Sequence, residues 1–350
     1  MSPFAVDLLR ARGSMTFTPK VKRTVKNEQD QLKLGFSLLK EKRFDEALAQ
    51  MSDVIQSNPS SKGAHLASGI VHFRQKSFDQ ALAHFQSALK ADPLAPPAYL
   101  GIGRVYLRQG KVEEAIEQFQ SAVNLDPKQS KTYVHLGDAF LKQKHLDEAL
   151  QKFRMALRLN PQSSSARLGL AQTYVAQEKI QEAISELQSL IRVDPKNLRG
   201  LLQLAFIYMK QQQYSLAKEV FQSVIQISSK VPISIQLAFI KALIEDNTLE
   251  EACQLLRELP ENKKLAPRVH QLWGDLYSRQ GLHKEATEEY RAATLLASQT
   301  DINDEVNEPG ELDILEDQDD WEDLAESFRV SANALLNENP ARQKRFRNRT

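Results

Sequence analysis

The sequence predicts an all-α protein built from tandem helix–turn–helix hairpins, because three kinds of residue recur every 34 positions. Prolines recur at Pro59, Pro93, Pro127, Pro161 and Pro195. Alanines keep the same period at Ala47, Ala81, Ala115, Ala149, Ala183 and Ala217. Small residues do so at Gly35, Gly69, Gly103, Gly137, Ala171 and Ala205. A fixed period of this length indicates stacked repeats, which typically offer a long binding surface rather than a catalytic cleft.

One repeat, residues 130–163, shows why each unit is expected to be a hairpin. Its first half carries one helical face, at Tyr133, Leu136, Gly137 and Phe140. Its second half carries another, at Ala149, Phe153 and Ala156. Asp147 and Glu148 suit the first turn of the second helix, where free backbone N–H groups favour negative charge. Asn160 is expected to end that helix, because Pro161 disfavours the α conformation in the residue before it.

The small residues predict how the helices pack. Position 8 of a repeat is glycine or alanine and position 20 is alanine, which lets two helix backbones approach closely. Larger residues at positions 4, 7, 11 and 24 fill the space beside them. One hairpin cannot bury this apolar surface alone, so neighbouring hairpins are expected to stack.

This pattern resembles the tetratricopeptide repeat. In the third repeat, positions 4, 7, 8, 11, 20, 24, 27 and 32 hold Tyr99, Ile102, Gly103, Tyr106, Ala115, Phe119, Ala122 and Pro127. The resemblance implies a right-handed α-solenoid whose first helices line a concave face. It covers about three quarters of the chain.

The repeats are expected to fill residues 28–300. Eight are predicted: 28–61, 62–95, 96–129, 130–163, 164–197, 198–231, 233–266 and 267–300. The register slips by one residue at Val231-Pro232, and the seventh repeat has Ile240 where a small residue belongs. Pro267 suits the first position of the helix that opens the eighth.

Charged segments flank the repeats. Residues 1–27 are predicted to be a basic, flexible arm, with an organelle transit peptide as the alternative, and residues 301–323 an acidic segment. Residues 320–337 form a candidate amphipathic helix that would cap the last exposed apolar face. Residues 338–350 are predicted to be a basic tail.

No catalytic, cofactor-binding or metal-binding residues are predicted, so the chain is not expected to be an enzyme. Gly101 and Gly103 begin a dinucleotide-like pattern, but Tyr106 breaks it and both glycines lie inside a helix. His65 and His72 share a helix face, but they occupy packing positions 4 and 11, which favours a structural role over a metal site.

The compartment is expected to be the cytoplasm or an equivalent reducing compartment, with an organelle stroma as a further candidate. Cys253 is the single cysteine, so no intrachain disulfide can form. No run of residues approaches the ~20 apolar residues that span a bilayer.

A peptide-binding groove is predicted on the first helices, because the resemblance implies that positions 2, 5, 9, 12 and 13 point into it. Its candidate residues are Leu32, Phe36, Lys40, Leu66, Ile70, Phe73, Arg74, Leu100, Arg104, Leu107, Arg108, Val134, Leu141, Lys142, Leu202, Phe206 and Lys210. They combine an apolar stripe with a basic ladder, to which Arg199 adds. Two interpretations stay open: a ligand groove, or hairpin packing at position 12 beside a solvated edge at position 13.

The predicted function is a protein–protein interaction scaffold, adaptor or assembly factor without catalysis. Its partner is expected to be an extended or helical segment with apolar and acidic residues. The chain's own acidic segment 301–323 is a second candidate ligand, with a disordered linker as the alternative. One alternative function is assembly of photosynthetic or membrane complexes with peripheral membrane contact. Another is a nucleic-acid-associated adaptor using the basic arms, although the acidic segment would repel phosphate.

Overall fold

The structure is a computed structural model that describes residues 28–228, 231–260 and 262–300, without the side chains of Gln29, Lys40, Gln299 and Thr300. The predictions for residues 1–27, 301–323, 320–337 and 338–350 lie outside these residues. Over the described ranges the chain forms sixteen α-helices and no strand. It divides into an N-terminal body, which ends at Lys128, and a C-terminal body, which begins at Gln129.

The N-terminal body contains three hairpins, each a pair of antiparallel helices joined by a short turn. Its helices are α1 (Glu28–Lys40), α2 (Phe44–Ser57), α3 (Lys62–Arg74), α4 (Phe78–Ala91), α5 (Pro96–Arg108) and α6 (Val112–Leu125). The second helix of each hairpin packs on the first helix of the next, so α2 contacts α3 and α4 contacts α5. First helices also contact one another: α1 contacts α3, and α3 contacts α5.

The C-terminal body contains five hairpins built in the same way. Its helices are α7 (Ser130–Lys142), α8 (Leu146–Leu159), α9 (Ser164–Ala176), α10 (Ile180–Val193), α11 (Leu198–Lys210), α12 (Tyr214–Ile227), α13 (Ile233–Glu245), α14 (Leu249–Glu258), α15 (Ala266–Arg279) and α16 (His283–Thr300). The predicted all-α class and the stacking of helix–turn–helix hairpins are confirmed within each body. Asn160 follows the last residue of α8, as the Asn160-Pro161 pair predicts.

The spacing between the starts of the first helices shows where the repeat changes register. First helices begin every 34 residues from Glu28 to Leu198, then Ile233 follows after 35 and Ala266 after 33. Pro267 is therefore the second residue of α15 rather than its first, one residue from the predicted start. Pro232 directly precedes α13. The same irregular repeat, the seventh, also has a short second helix, because α14 contains only ten residues.

The core of the N-terminal body depends on aromatic rings packed against glycine. Phe85, on α4, is 2% exposed. A Cβ atom placed on Gly69 of its own hairpin or on Gly101 of the next would lie 2.6 Å from the Cε1 atom of Phe85. Only the absence of a side chain at both positions admits the ring, which is the close backbone approach that the periodic glycines predict.

The core of the C-terminal body repeats this arrangement around Phe153, which is fully buried between Gly137 and Gly169. A continuous cluster of buried aliphatic and aromatic side chains then runs from Leu168 to Leu276. Ile240, at the position where a small residue was expected, is fully buried in this cluster. The larger side chain is therefore accommodated where the repeat is irregular.

Each hairpin turns through one residue in the left-handed region of backbone space. These residues share position 15 of the repeat: Lys42, Lys76, Gly110, Lys144, Glu178, Gln212, Asn247 and Gly281, with φ between 59° and 79°. Two of the eight are glycine, which adopts this conformation without a Cβ clash. The other six adopt it at a steric cost.

A recurring hydrogen bond ties three of the first helices, α3, α5 and α9, to the loops before them. The side chain at position 4 donates to the carbonyl oxygen of the proline six residues earlier. His65 Nε2 lies 3.0 Å from Pro59 O, Tyr99 Oη 3.1 Å from Pro93 O, and an Arg167 guanidinium nitrogen 3.0 Å from Pro161 O. Three different side chains therefore make the same connection.

Candidate binding groove

The C-terminal body carries a groove of about 270 Å³ across three successive first helices. It is lined by residues of α7 and α9, by the loop between α8 and α9, and by Arg199 at the start of α11. Apart from Ser130 at position 1 and the loop residues Asn160 and Ser163, the lining residues occupy positions 2, 5, 6 and 9 of their repeats. Those positions share one helix face, because they are separated by three or four residues.

The floor of the groove is apolar and rigid. Val134 of α7 is 6% exposed and Leu168 of α9 is 4% exposed, so both close the floor and offer little surface. Gly169 lies beside them and allows α9 to approach the ring of Phe153. The floor is therefore part of the packing between hairpins.

The rim of the groove is polar and carries charges of both signs. Lys131 is exposed, and Arg199 is half-buried on the opposite side. Asp138 of α7 also lines the groove, with its Oδ2 atom 3.7 Å from Nδ1 of His135. Gln172 adds a side-chain amide on α9. The lining therefore includes two permanent cations, Lys131 and Arg199, and one carboxylate.

The loop that closes one end is held by short-range hydrogen bonds. Ser163 accepts a hydrogen bond from the backbone N–H of Ala166 and so caps α9. Asn160 accepts one from the backbone N–H of Gln162 at 3.1 Å. Such caps satisfy backbone groups that helix ends leave free. The end of the groove is therefore formed by structured residues.

The rim presents the kinds of charged and polar group that peptide recognition uses. Cationic rim groups can accept carboxylates, and Gln172 and Asp138 offer hydrogen bonds to a peptide backbone. Within the described parts of residues 28–300, no group of three His, Cys, Asp or Glu side chains is arranged to hold a metal ion. None of the described helices is both long enough and apolar enough to cross a membrane.

The predicted groove residues of the N-terminal body divide into packed and exposed groups. Leu100 is 8% exposed, and Leu32, Leu66, Ile70 and Phe73 pack against buried core clusters. Leu107 and Arg108 are half-buried, and Arg74 is exposed. Phe36 is 39% exposed. The side chain of Lys40 is among those left undescribed.

One contact in the N-terminal body joins the apolar stripe to the basic ladder. The guanidinium carbon of Arg104, on α5, lies 4.5 Å from the centre of the Phe73 ring on α3. This is within the range of a cation–π interaction. Arg104 therefore stabilises the stacking of two hairpins in addition to contributing positive charge.

The predicted residues of the C-terminal body show the same division. Leu202 is 1% exposed, and Phe206 packs edge-on against Phe221 with ring centres 5.7 Å apart. Leu141 is half-buried, while Lys142 and Lys210 are exposed. Position 5 thus serves mainly the contact between hairpins, and the exposed surface comes from positions 2, 9 and 13.

Of the residues that line the groove, only Val134 is among the predicted site residues, with Arg199 noted as an addition to the basic ladder. Three of the others show what the repeat pattern could reveal. Lys131, His135 and Gln172 lie at positions 2, 6 and 9. The signal for two of them was present, because positions 2 and 9 were expected to face the groove. Position 6 could not have been found in this way, since it is glycine in neighbouring repeats and histidine only here.

Comparisons with known families agree with this architecture. The tetratricopeptide repeat family model matches residues 32–96 and 67–130, and the TPR domain of cytochrome c-type biogenesis protein H matches residues 126–230. The chain is a tetratricopeptide repeat protein. No curated protein is significantly similar to it in sequence.

Several solved structures share the fold at low sequence identity. PilF of Pseudomonas aeruginosa is 20% identical with a TM-score of 0.52, over 59% of this chain and 92% of that one. A tetratricopeptide repeat protein from Parabacteroides merdae is 16% identical with a TM-score of 0.51, over 74% and 98% of the two chains. The human IFIT1 dimer with PPP-AAAA is 18% identical with a TM-score of 0.51, over 78% and 74%. These likenesses establish the fold alone.

Proposed function

We propose that this protein is a non-catalytic interaction scaffold whose first-helix groove binds a segment of a partner protein. The observation that carries the proposal is the groove of α7, α9 and α11, which has an apolar floor and a rim bearing Lys131, Asp138 and Arg199. Tetratricopeptide repeat proteins typically act as interaction scaffolds, which supports the same conclusion.

The proposed partner segment carries acidic side chains among apolar ones. Lys131 and Arg199 supply positive charge within the groove, and Lys142 and Lys210 are exposed at position 13 of their repeats. Such charges accelerate encounter and fix the register of a ligand more than they add affinity. The carboxylate of Asp138 would exclude a second acidic group at its own place on the rim.

The N-terminal body contributes a separate contact surface in this proposal. Phe36 is exposed at position 9 of the first repeat and Arg74 at position 13 of the second. An exposed aromatic ring and an exposed guanidinium on the same body suit a segment of the same composition. The buried position-5 leucines are assigned to hairpin stacking.

The proposal is tested by reversing charge on the groove rim. The Lys131→Glu/Arg199→Glu variant of the full chain is compared with Lys179→Glu/Lys196→Glu, which reverses two exposed charges outside the groove. Each is probed with an array of acidic–apolar peptides and with native lysate read by mass spectrometry. Loss of binding of about tenfold in the rim variant only is expected, since each exposed charged contact is worth about 0.2–1 kcal/mol and reversing the charge adds repulsion.

Two results would contradict the proposal. Equal binding by the rim variant and its control would place recognition elsewhere on the chain. Binding that does not weaken as salt rises would show that the rim charges take no part, because exposed charges are screened at a Debye length of about 10 Å in 0.1 M salt.

Within the scaffold class, an assembly factor is favoured by the match to the cytochrome c-type biogenesis protein H domain over residues 126–230. This range includes the whole groove. An assembly factor would bind its client transiently and leave the finished complex. Co-purification with partly assembled complexes only, and not with mature ones, is the expected result. Stoichiometric recovery with a mature complex would favour a permanent adaptor.

A further inference from the structure

Three histidines form a cluster between α3 and α4 of the N-terminal body. Nδ1 of His65 lies 3.2 Å from Nδ1 of His84, and their ring centres are 5.5 Å apart. The ring of His72 stacks on that of His84 with centres 5.3 Å apart and planes within 12°. His65 is 8% exposed, and the Nδ1 atom of His72 is buried without a hydrogen-bond partner.

The hydrogen bonds of His65 determine where its proton lies. Its Nε2 atom is 3.0 Å from the carbonyl oxygen of Pro59, which can only accept. Nε2 therefore carries hydrogen, and in the neutral ring Nδ1 presents a lone pair to His84. The space between the two Nδ1 atoms holds one proton. A second proton there would place two N–H donors opposite each other, with their nitrogen atoms 3.2 Å apart.

Two other repeats pair a basic side chain with a carboxylate at these positions. Positions 4 and 23 hold Arg167 and Glu186 in the fifth repeat, 3.5 Å apart. In the eighth repeat they hold His270 and Glu289, 2.6 Å apart. In the second repeat both are histidine, so a proton taken up by one ring meets another base rather than a carboxylate.

The helices α1 to α5, which surround the cluster, carry charged groups of both signs. The charged residues of α1 to α5 are Glu28, Asp30, Lys33, Lys40, Asp45, Glu46, Asp53, Lys62, Arg74, Asp79, Lys90, Arg104 and Arg108. Lys62 pairs with Asp92, Glu46 with Arg43, and Glu28 with Asn58. Burial lowers the pKa of His72. Burial, followed by the charges of His72 and His65, lowers the pKa of His84. Among the described residues, no carboxylate contributes to either shift.

We propose that the cluster of His65, His72 and His84 makes the packing of α3 on α4 acid-sensitive, so that mild acidification loosens this hairpin before the rest of the protein. Histidine is the side chain whose charge changes between pH 5 and 8, which makes such a response accessible in cells. The device is independent of the groove in the C-terminal body.

The direction of the response follows from proton linkage. A histidine whose folded-state pKa lies below its ordinary value of 6.5 binds more protons when its site opens. The stability it permits is complete above pH 6.5 and is lost as pH falls from 6.5 toward the lowered folded-state pKa. The opening constant then rises by up to about tenfold per pH unit for each proton taken up.

Hydrogen exchange of the full chain between about pH 7 and pH 5, with a metal chelator present, tests this proposal. The variant His65→Tyr/His72→Tyr/His84→Gln installs the residues that the third repeat has at the same positions, Tyr99, Tyr106 and Gln118. The matched control is His145→Gln/His283→Gln, which removes two exposed histidines of the C-terminal body. Exchange rates are corrected for the intrinsic pH dependence of unprotected amides.

The wild-type chain and the control are expected to lose protection in α3 and α4 on acidification, by about tenfold or more per pH unit, while the triple variant stays flat. The same pH dependence in the wild-type chain and the triple variant would overturn the proposal. If the triple variant fails to fold, an NMR titration of the wild-type histidines decides. Values for His72 and His84 at or above 6.5 would overturn it, and values below would support it.

Discussion

The ring of Phe153 lies against the backbone of Gly169 in the next hairpin so closely that a Cβ atom on Gly169 would fall 2.2 Å from Cε1 of the ring. Real Cβ atoms do not approach other carbons to this distance. The contact joins α8 to α9 directly beneath the candidate groove, whose lining includes Gly169. The shape of the groove floor therefore depends on this one pair.

Gly169→Ala is expected to destabilise the C-terminal body by about 1–3 kcal/mol, because overpacking a filled core forces side chains and backbone to shift. Urea unfolding followed by circular dichroism measures the change. Ala176→Ser, at the exposed end of the same helix, is the control and should be nearly neutral. A Gly169→Ala protein as stable as the control would show that α8 and α9 separate easily.

Phe119→Ala is expected to cost about 3–5 kcal/mol in the N-terminal body, since it removes a fully buried ring and leaves a cavity. Leu125→Ala on the same helix removes a side chain that is 37% exposed and should cost much less. Thermal unfolding of the two variants compares them under one condition. A similar loss from both would mean that the packing of Phe119 against Gly103 is not what holds α5 and α6 together.

Asn197→Ala is expected to lower stability by about 1 kcal/mol. The Asn197 side chain accepts a hydrogen bond from the N–H of Gly200 at 2.9 Å and donates one to Asp194 at 3.0 Å, which caps α11. Gln213 precedes α12 without a side-chain cap bond, so Gln213→Ala serves as the control. Measurement is by urea unfolding. Equal losses would show that the cap bond adds nothing.

Lys144→Gly is expected to stabilise the protein by about 0.5–1 kcal/mol. Lys144 has a φ of 60°, where a side chain costs about 1–2 kcal/mol. Glycine removes this cost, but part of the gain is offset because glycine has greater conformational freedom in the unfolded chain. The reverse change, Gly110→Lys at the same position of the third repeat, should destabilise by a similar amount. Thermal unfolding of both variants gives the two signs, and the same sign for both would refute the argument.

Lys218→Gln is expected to lower stability at neutral pH by about 1–2 kcal/mol and to have little effect in acid. The hydrogen bond from Lys218, then that from Ser215, holds the pKa of Asp246 below its ordinary value of 3.8. The stability from this pair is therefore present above pH 3.8 and is lost as pH falls through the lowered value.

Urea unfolding at about pH 7 and pH 3 measures this difference, with Lys196→Gln as an exposed control. If the cost of Lys218→Gln is unchanged at pH 3, the contribution of Lys218 comes from the packing of its aliphatic stem.

Much of the fold could be predicted from the sequence, because the repeat makes each structural constraint visible several times. The prolines before the first helices, the glycines that admit Phe85 and Phe153, and the negative first turns of second helices each recur in register. The resemblance to the tetratricopeptide repeat then predicts that each 34-residue unit folds as a helix–turn–helix hairpin. The one-residue shift at Pro267 arises between the seventh and eighth repeats, where α15 begins 33 residues after α13 and the 34-residue period gives no guidance.

The candidate site could be predicted only in part, because facing a groove and being exposed are different properties. Position 5 faces the neighbouring hairpin, so Leu202 is buried although the pattern placed it on the groove side. His135 and His84 were missed for another reason. Their significance depends on which side chains stand beside them, Asp138 in one case and His65 in the other, and such pairs are not periodic.

The placement of Phe85 and Phe153 affects how the protein would unfold when a protease pulls on it. Each ring has one face covered by its own hairpin and the other by the hairpin that follows. Removing that following hairpin would leave the ring half open to water and its own hairpin weakened. A processive protease pulling from one end would then meet a series of separate steps, each a hairpin long, instead of a single barrier for the whole molecule. The size of each step would follow from whether an aromatic ring or a smaller side chain fills position 24.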